Sequence, residues 1–321
     1  MLLSGFGGVF TAAFRAAMKR RCASRSLYWS CSLVTYPPRS AETRRFAPVG
    51  RCIYCGESDG VLTDEHIIPF SLGGTLILPK SSCKRCEKIT HRFEGVVGRE
   101  IFGKFRAKHN LPTRRPKERP THFPVGTSAG VINVSALEHP TELFVYKFKP
   151  ANALADLPAS FDTSTHHWVP VAISNWKELD EFAKSHKWDG KVQIRMRPIE
   201  YARMLAKIAH CYAVAFLGYG SFKPLTIDLI LGRTENISYT VGGDWDIPPS
   251  LKDGGHLLNL EFLINVIRRQ FLILVEIRLF SSAGTPNYRV VAGKAENVDQ
   301  LRSMADKMGN AKEIKFAFPD R

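Results

Sequence analysis

Apolar positions recur along this chain with two periods, and the change between them divides it. Over 198–217 the residues Tyr201, Met204, Leu205, Ile208, Tyr212 and Phe216 fall three and four apart, the stripe of an amphipathic helix. Pro198 opens that stretch and Gly218 follows its end, where a helix favours each of them. A second helix is expected over 176–186, capped by Ser174. Short runs rich in β-branched and aromatic residues predict strands at 143–148, 168–173, 192–196, 225–231, 257–264, 271–280 and 288–292. Nearer the N-terminus the signals are shorter. Val61, Leu62, Thr63, Ile67 and Ile68 suit one strand and 75–78 its antiparallel partner, with the Gly73-Gly74 turn between them. Ser82 is a candidate N-cap for a helix from 83 to about 105. The pattern is α+β: a small module at 48–103, a basic, proline-broken linker at 104–125, and a larger mixed domain at 126–321.

A length of 321 residues accommodates that division. Hydrophobic residues at 44% and charged residues at 23% fit a globular chain, and no apolar run is long enough to span a bilayer, so no membrane partner is expected. The formal charge of +15 points to a polyanionic partner, most simply nucleic acid. Residues 1–41 hold no acid but carry Arg15, Lys19, Arg20, Arg21, Arg25 and Arg39. That composition fits an arginine-rich targeting peptide, and equally a basic arm or a reading frame that starts upstream of Met18. Because nothing after residue 45 suggests an organelle, the extension 1–47 is expected to be a disordered basic arm or an over-extended start. The protein is expected in the cytoplasm, on the nucleoid, with the targeting peptide left open.

Four of the seven cysteines fall in two Cys-x-x-Cys pairs, Cys52/Cys55 in CIYCGE and Cys83/Cys86 in CKRCEK. Two intervening residues let one turn present both sulfurs to one ion, so the four thiolates predict a structural Zn²⁺ in a reducing compartment rather than disulfides. Cys22, Cys31 and Cys211 lie outside the pairs, and Cys211 reads as a buried thiol. The gap between the pairs houses Asp64-Glu65-His66 beside an apolar pair, then Pro69 and the glycine turn. Acid and imidazole presented by a zinc-held loop is a plan for hydrolysis.

The series CIYCG, LTDEHIIPFSLGG, LILPKSSCKRCEKITHRFE resembles the HNH endonucleases, the ββα-metal nucleases, in the branch with a four-cysteine zinc. The resemblance covers about residues 50–97. It implies a divalent-metal endonuclease acting on DNA, with His66 as the general base that deprotonates the attacking water. Glu65, or in second place Asp64, would be an oxygen ligand to one catalytic Mg²⁺ or Mn²⁺, and His91 a second ligand. One such site cuts one strand, so duplex cleavage would take a homodimer or two events. The departure is Glu87, where many members carry Asn directly after the last cysteine. Two readings of Glu87 stay open: a further metal ligand, or a partner of the helix N-terminus or of a neighbouring lysine. On the same helix Arg85, Lys88, Arg92 and Arg99, together with the arm KFRAKHNLPTRRPKERP (104–120), are candidate phosphate contacts. The rival reading keeps charge and zinc but not cleavage: a zinc-ribbon nucleic-acid-binding protein.

Three further patterns are set aside. Gly126-Thr127-Ser128-Ala129-Gly130 matches a hydrolase elbow, but the strand-like Val131-Ile132-Asn133-Val134 follows where a helix is required. His166 and His167, if in a strand, would face opposite ways. Asp244-Trp245-Asp246 between glycines and prolines reads as a turn.

Overall fold

A computed structural model describes residues 26–30, 34–35, 43–139, 143–188, 194–244, 246–249, 255–265 and 268–307. In chain order, β1 (Ser26–Ser30) and β2 (Val34–Thr35) precede β3 (Arg44–Arg45), β4 (Leu62–His66) and β5 (Leu76–Cys83). Helix α1 (Lys84–Val96) continues through a π turn (Val97–Ile101) into α2 (Gly103–Lys108). Two hairpins follow, β6 (His122–Thr127) with β7 (Gly130–Ser135), and β8 (Leu143–Phe148) with β9 (Trp168–Ile173). Then come α3 (Trp176–His186), α4 (Pro198–Leu217), β10 (Lys223–Pro224), α5 (Ile227–Leu231), β11 (Val241–Gly243), β12 (Leu257–Asn265), β13 (Gln270–Arg278), β14 (Tyr288–Lys294) and α6 (Val298–Lys307). The chain is α+β, as its patterning predicts.

The small module is a three-stranded sheet ordered β3-β5-β4 with α1 against it. Strands β4 and β5 are antiparallel, pairing Glu65 with Leu78 and His66 with Ile77, with a bulge between Thr63 and Glu65. A larger sheet ordered β1-β12-β13-β14-β10, with β2 on β12 and β11 on β14, lies under α4. Within the 1–47 extension, expected to be disordered, β1 and β2 run along β12 and β3 runs along β5. An apolar strand such as β12 exposes unpaired backbone groups at a sheet edge, and a neighbouring segment is drawn onto it. The targeting-peptide reading otherwise falls outside the described residues.

Helix α4 ends where Gly218 follows, as its stripe predicts, but it is buried almost all round, between the module and the large sheet. One hydrophobic cluster therefore runs from Cys52, Ile67 and Phe93 in the module through Tyr201 and Ile208 to Val275 and Leu301. No described helix is long and apolar enough to cross a membrane.

Several local expectations are corrected. The helix expected over 83 to about 105 is broken at 97–101, where Phe102 N–H bonds Val97 O in a π turn. The extra residue re-aims the chain so that Val97, Ile101 and Phe102 all reach the core. Its N-cap is Cys83, because Ser82 is still buried within β5. The strand over 61–68 ends at His66, and Ile67 and Ile68 turn inward instead. The run 225–231 is helical over Ile227–Leu231 and stops at left-handed Gly232; so short an apolar run fits either period, and packing on α4 decides. Residues 194–196 are not strand, and the rest of 192–196 lies outside the described residues. Asn175 rather than Ser174 caps α3, accepting from the N–H groups of Lys177 and Glu178. His166 sits in a 3-10 turn, and His167 is buried with Nε2 2.7 Å from Val241 O.

Phe102 is wholly buried, with its ring 6.1 Å from that of Tyr201 and 5.6 Å from that of Phe280, so it joins the π turn to α4 and to the end of β13. Phe102→Ala should cost about 3–5 kcal/mol in urea unfolding. A loss well under 1 kcal/mol would show that module and sheet do not depend on this contact.

Candidate metal centre and active-site cleft

The first cysteine pair is shaped by a tight turn. Gly56 N–H donates to Cys52 O at 2.8 Å and Cys52 N–H to Glu57 O at 2.7 Å, while Ile53 N–H ties the knuckle to Ser81 O at 2.8 Å. Cys83 closes β5 and caps α1, and Cys86 lies in the helix's first turn. The four Sγ atoms lie within 4.8 Å of one another, and Cys55 Sγ is 3.6 Å from Cys83 Sγ. A tetrahedral ion with Zn–S bonds of ~2.3 Å sets its sulfurs ~3.8 Å apart, so the donor set and its spacing fit zinc. Among the described residues this is the group of Cys, His, Asp or Glu side chains gathered closely enough to hold an ion.

The other sequence-predicted residues lie along α1 and the end of β4. His66 is half-buried, with Nδ1 3.3 Å from Gly74 O. Donation from Nδ1–H to that carbonyl leaves Nε2 as the free lone pair. Burial, then the charges of Lys207 and Arg114, hold the imidazole below its ordinary 6.5, against the raising effect of the Gly74 bond and Glu65. It is neutral at pH 7, the form that accepts a proton. Its ring lies 5.6 Å from that of Phe70, over which the Arg114 guanidinium sits at 6.0 Å. These groups line a cleft of about 690 Å³, whose walls also hold Glu87, His91, Glu94 and Arg99.

Of the candidate phosphate contacts, Arg99 lines this cleft and so does Arg114 of the basic arm. Arg85 instead lies by the zinc sulfurs, where a bond to Cys55 raises its pKa. Lys88 and Arg92 are exposed on α1 and do not line the cleft.

The expected catalytic ligands Asp64, Glu65, Glu87 and His91 all line the cleft, and each of the three carboxylates has a basic partner. Asp64 is bound by Arg45 and by the Lys80 N–H at 3.2 Å, the Arg45 bond holding its carboxyl below the ordinary range. Glu87 pairs with Lys84 at 3.0 Å, the lysine-partner arrangement of its two readings. Glu65 is buried, with Oε1 2.8 Å from Lys207 Nζ. His91 is exposed on the cleft wall. Glu65 and Glu87 are thus each engaged by a lysine, while His91 stands exposed on the same cleft.

Lys207 was not foreseen. It projects from the middle of α4, wholly buried, and its Nζ also reaches Glu94 Oε1 at 2.9 Å and the carbonyl of His66, with Ile67 O at 3.5 Å. Burial opposes its charge, but Glu65 and Glu94 outweigh burial and hold the ammonium above its ordinary value. Burial pushes Glu94 up, with Lys207 opposing. The available signal was a lysine on the apolar side of α4, three residues after Met204, since a lysine there must have a counter-charge. Three and four residues on, His210 Nε2–H donates to Ile53 O at 2.9 Å and Cys211 Sγ lies 3.3 Å from the Tyr54 hydroxyl. Burial pushes His210 down to about 4, so it makes this bond as a neutral ring.

Residues 52–101 match the sequence model of a family described as HNH endonuclease. No curated protein and no solved structure matches the chain. The chain therefore carries an HNH endonuclease domain at 52–101, in agreement with the motif series and with the four-cysteine cluster.

Purified protein should contain one zinc per chain by elemental analysis, and Cys83→Ser should lower both zinc content and soluble yield. A well-folded, zinc-free protein would remove the assignment. A Cβ on Gly74 would stand 1.9 Å from Ile68 O, so the backbone there must shift. Gly74→Ala should therefore displace the carbonyl that orients His66. Circular dichroism should show the fold retained, while the His66 side-chain NMR signals shift; unchanged signals would disprove the orienting role.

Proposed function

We propose that this chain is an endonuclease that hydrolyses phosphodiester bonds in DNA, with His66 as the general base. The HNH domain at 52–101 supports a nuclease-type activity on nucleic acid. The observation that carries the finer reading is His66 itself: a neutral imidazole fixed through Nδ1 to Gly74 O, facing a cleft walled by arginines. A water placed against Nε2 loses its proton to the ring as it attacks phosphorus, and a base so placed typically contributes ~10²–10⁴ in rate. The chain's own cations at the cleft, Arg99 and Arg114, meet the charge that builds on the phosphoryl oxygens. A divalent metal at such a site stabilises the leaving oxygen. The carboxylates present here are each paired with a basic side chain. Attack at one centre breaks one strand, so duplex cleavage takes two copies or two events.

That same pairing favours one rival, a zinc-stabilised nucleic-acid-binding protein without cleavage. Plasmid nicking separates the two. Wild-type protein is compared with His66→Ala in Mg²⁺, in Mn²⁺, and after removal of loosely bound ions with the zinc retained. His66→Ala should lose ~10²–10⁴ in rate while DNA binding persists. Protonated imidazole cannot act as a base, so the rate should fall as pH drops through the His66 pKa. Because that pKa lies below 6.5, the rate should be level across neutral pH. Near-wild-type nicking by His66→Ala would remove His66 from the reaction, and no nicking by wild type would favour the binding protein.

A further inference from the structure

We propose that Lys207 takes the place of a divalent cation between Glu65 and Glu94, so that the HNH site of this chain carries a fixed, covalently attached charge there. This rests on the nuclease reading only for the location of the site. Around Lys207 Nζ stand four oxygen atoms: Glu65 Oε1 at 2.8 Å, Glu94 Oε1 at 2.9 Å, His66 O, and Ile67 O at 3.5 Å. Two carboxylates and main-chain carbonyls are the donors a hard dication takes. The Glu94 contact is a close ion pair at 2.9 Å. Lys207 is wholly buried at the inner wall of the cleft, beside Glu65 and Glu94, and its ammonium is turned to these partners.

The ammonium and the two carboxylates sum to one negative charge. A dication added to them would have to displace the ammonium, and α4 is packed too tightly on both sides to withdraw it. The remaining acids near the base are held elsewhere, Asp64 by Arg45 and Glu87 by Lys84. Glu65 is therefore a positioning residue: with Lys207 it holds the carbonyl of His66, and through it the strand end that presents the base.

The test is Mn²⁺ binding to the zinc-loaded full-length chain, followed by loss of the free-ion signal in electron paramagnetic resonance. In wild type, Glu65→Gln should leave the Mn²⁺ isotherm unchanged. Lys207→Met exposes the carboxylates to the ion and should bind Mn²⁺ at least about tenfold tighter, the effect of removing one charge ~3 Å away even at the screening of water. Adding Glu65→Gln to that variant should abolish the gain. Mn²⁺ should also raise the unfolding temperature of Lys207→Met and not that of wild type. One Mn²⁺ per wild-type chain, lost on Glu65→Gln, would overturn the proposal. So would a folded Lys207→Met that gains no site. If Lys207→Met does not fold even with Mn²⁺, the wild-type and Glu65→Gln isotherms decide alone. Because no readout uses cleavage, failure of the nuclease reading and failure of this one are distinguishable.

Discussion

A charge without water must be neutralised where it lies, and the side chain of Lys207 is 1% exposed. Desolvating an ammonium costs several kcal/mol, and the cost is met only when good partners surround it. Here the partners all belong to the HNH domain, so the helix that carries the lysine can settle in one register against that domain. His210 and Cys211 lie on the same side of α4 and meet Ile53 and Tyr54 of the zinc knuckle. One helix face thus fixes the knuckle and the strand end that carries His66 together. His256 adds a further tie, its Nε2–H donating to Leu72 O at 2.8 Å in the loop after Pro69. The zinc knuckle, the loop and His66 keep their spacing because the same buried surface holds all three.

The electrostatics of the cleft follow from this arrangement. Four acids lie close to His66, and unpaired they would repel a polyanion. Arg45, Lys84 and Lys207 neutralise them locally, while Arg99 and Arg114 remain at the cleft. Burial and the neighbouring cations also keep the imidazole neutral. The positive charge of the cleft, Arg114 included, therefore also helps to keep His66 neutral.

What could be read from the sequence was local. The cysteine pairs, the histidine at the end of a short strand and the glycine turn lie within about one supersecondary unit, and their chemistry is set by spacing alone. Helix α4 was equally legible, because its stripe, proline and glycine agree. Three features were not. The π turn at 97–101 answers to where the core lies, since Val97, Ile101 and Phe102 must all be buried at once. Ile227–Leu231 has an apolar run too short to reveal its period, and α4 supplies the missing context. The partner of Glu65 is 142 positions away in the chain, so the motif offered Glu65 as a metal ligand and gave no sign of the lysine. The one local clue was a lysine among Met204, Ile208 and Cys211, a place where bare charge is not tolerated.

The separation between Lys207 and the carbonyl it holds, 141 positions, bears on how portable the motif is. A fragment cut to the matched segment would keep all four cysteines, both strands and His66, and would look complete by any motif. Glu65 and Glu94 would face each other with nothing between them, and Ile53, Ile67 and Phe93 would lose the surface that covers them. The recognisable part of this nuclease domain is therefore not a transplantable cassette. Grafted onto another protein it would bring its zinc knuckle along but leave its counter-charge behind.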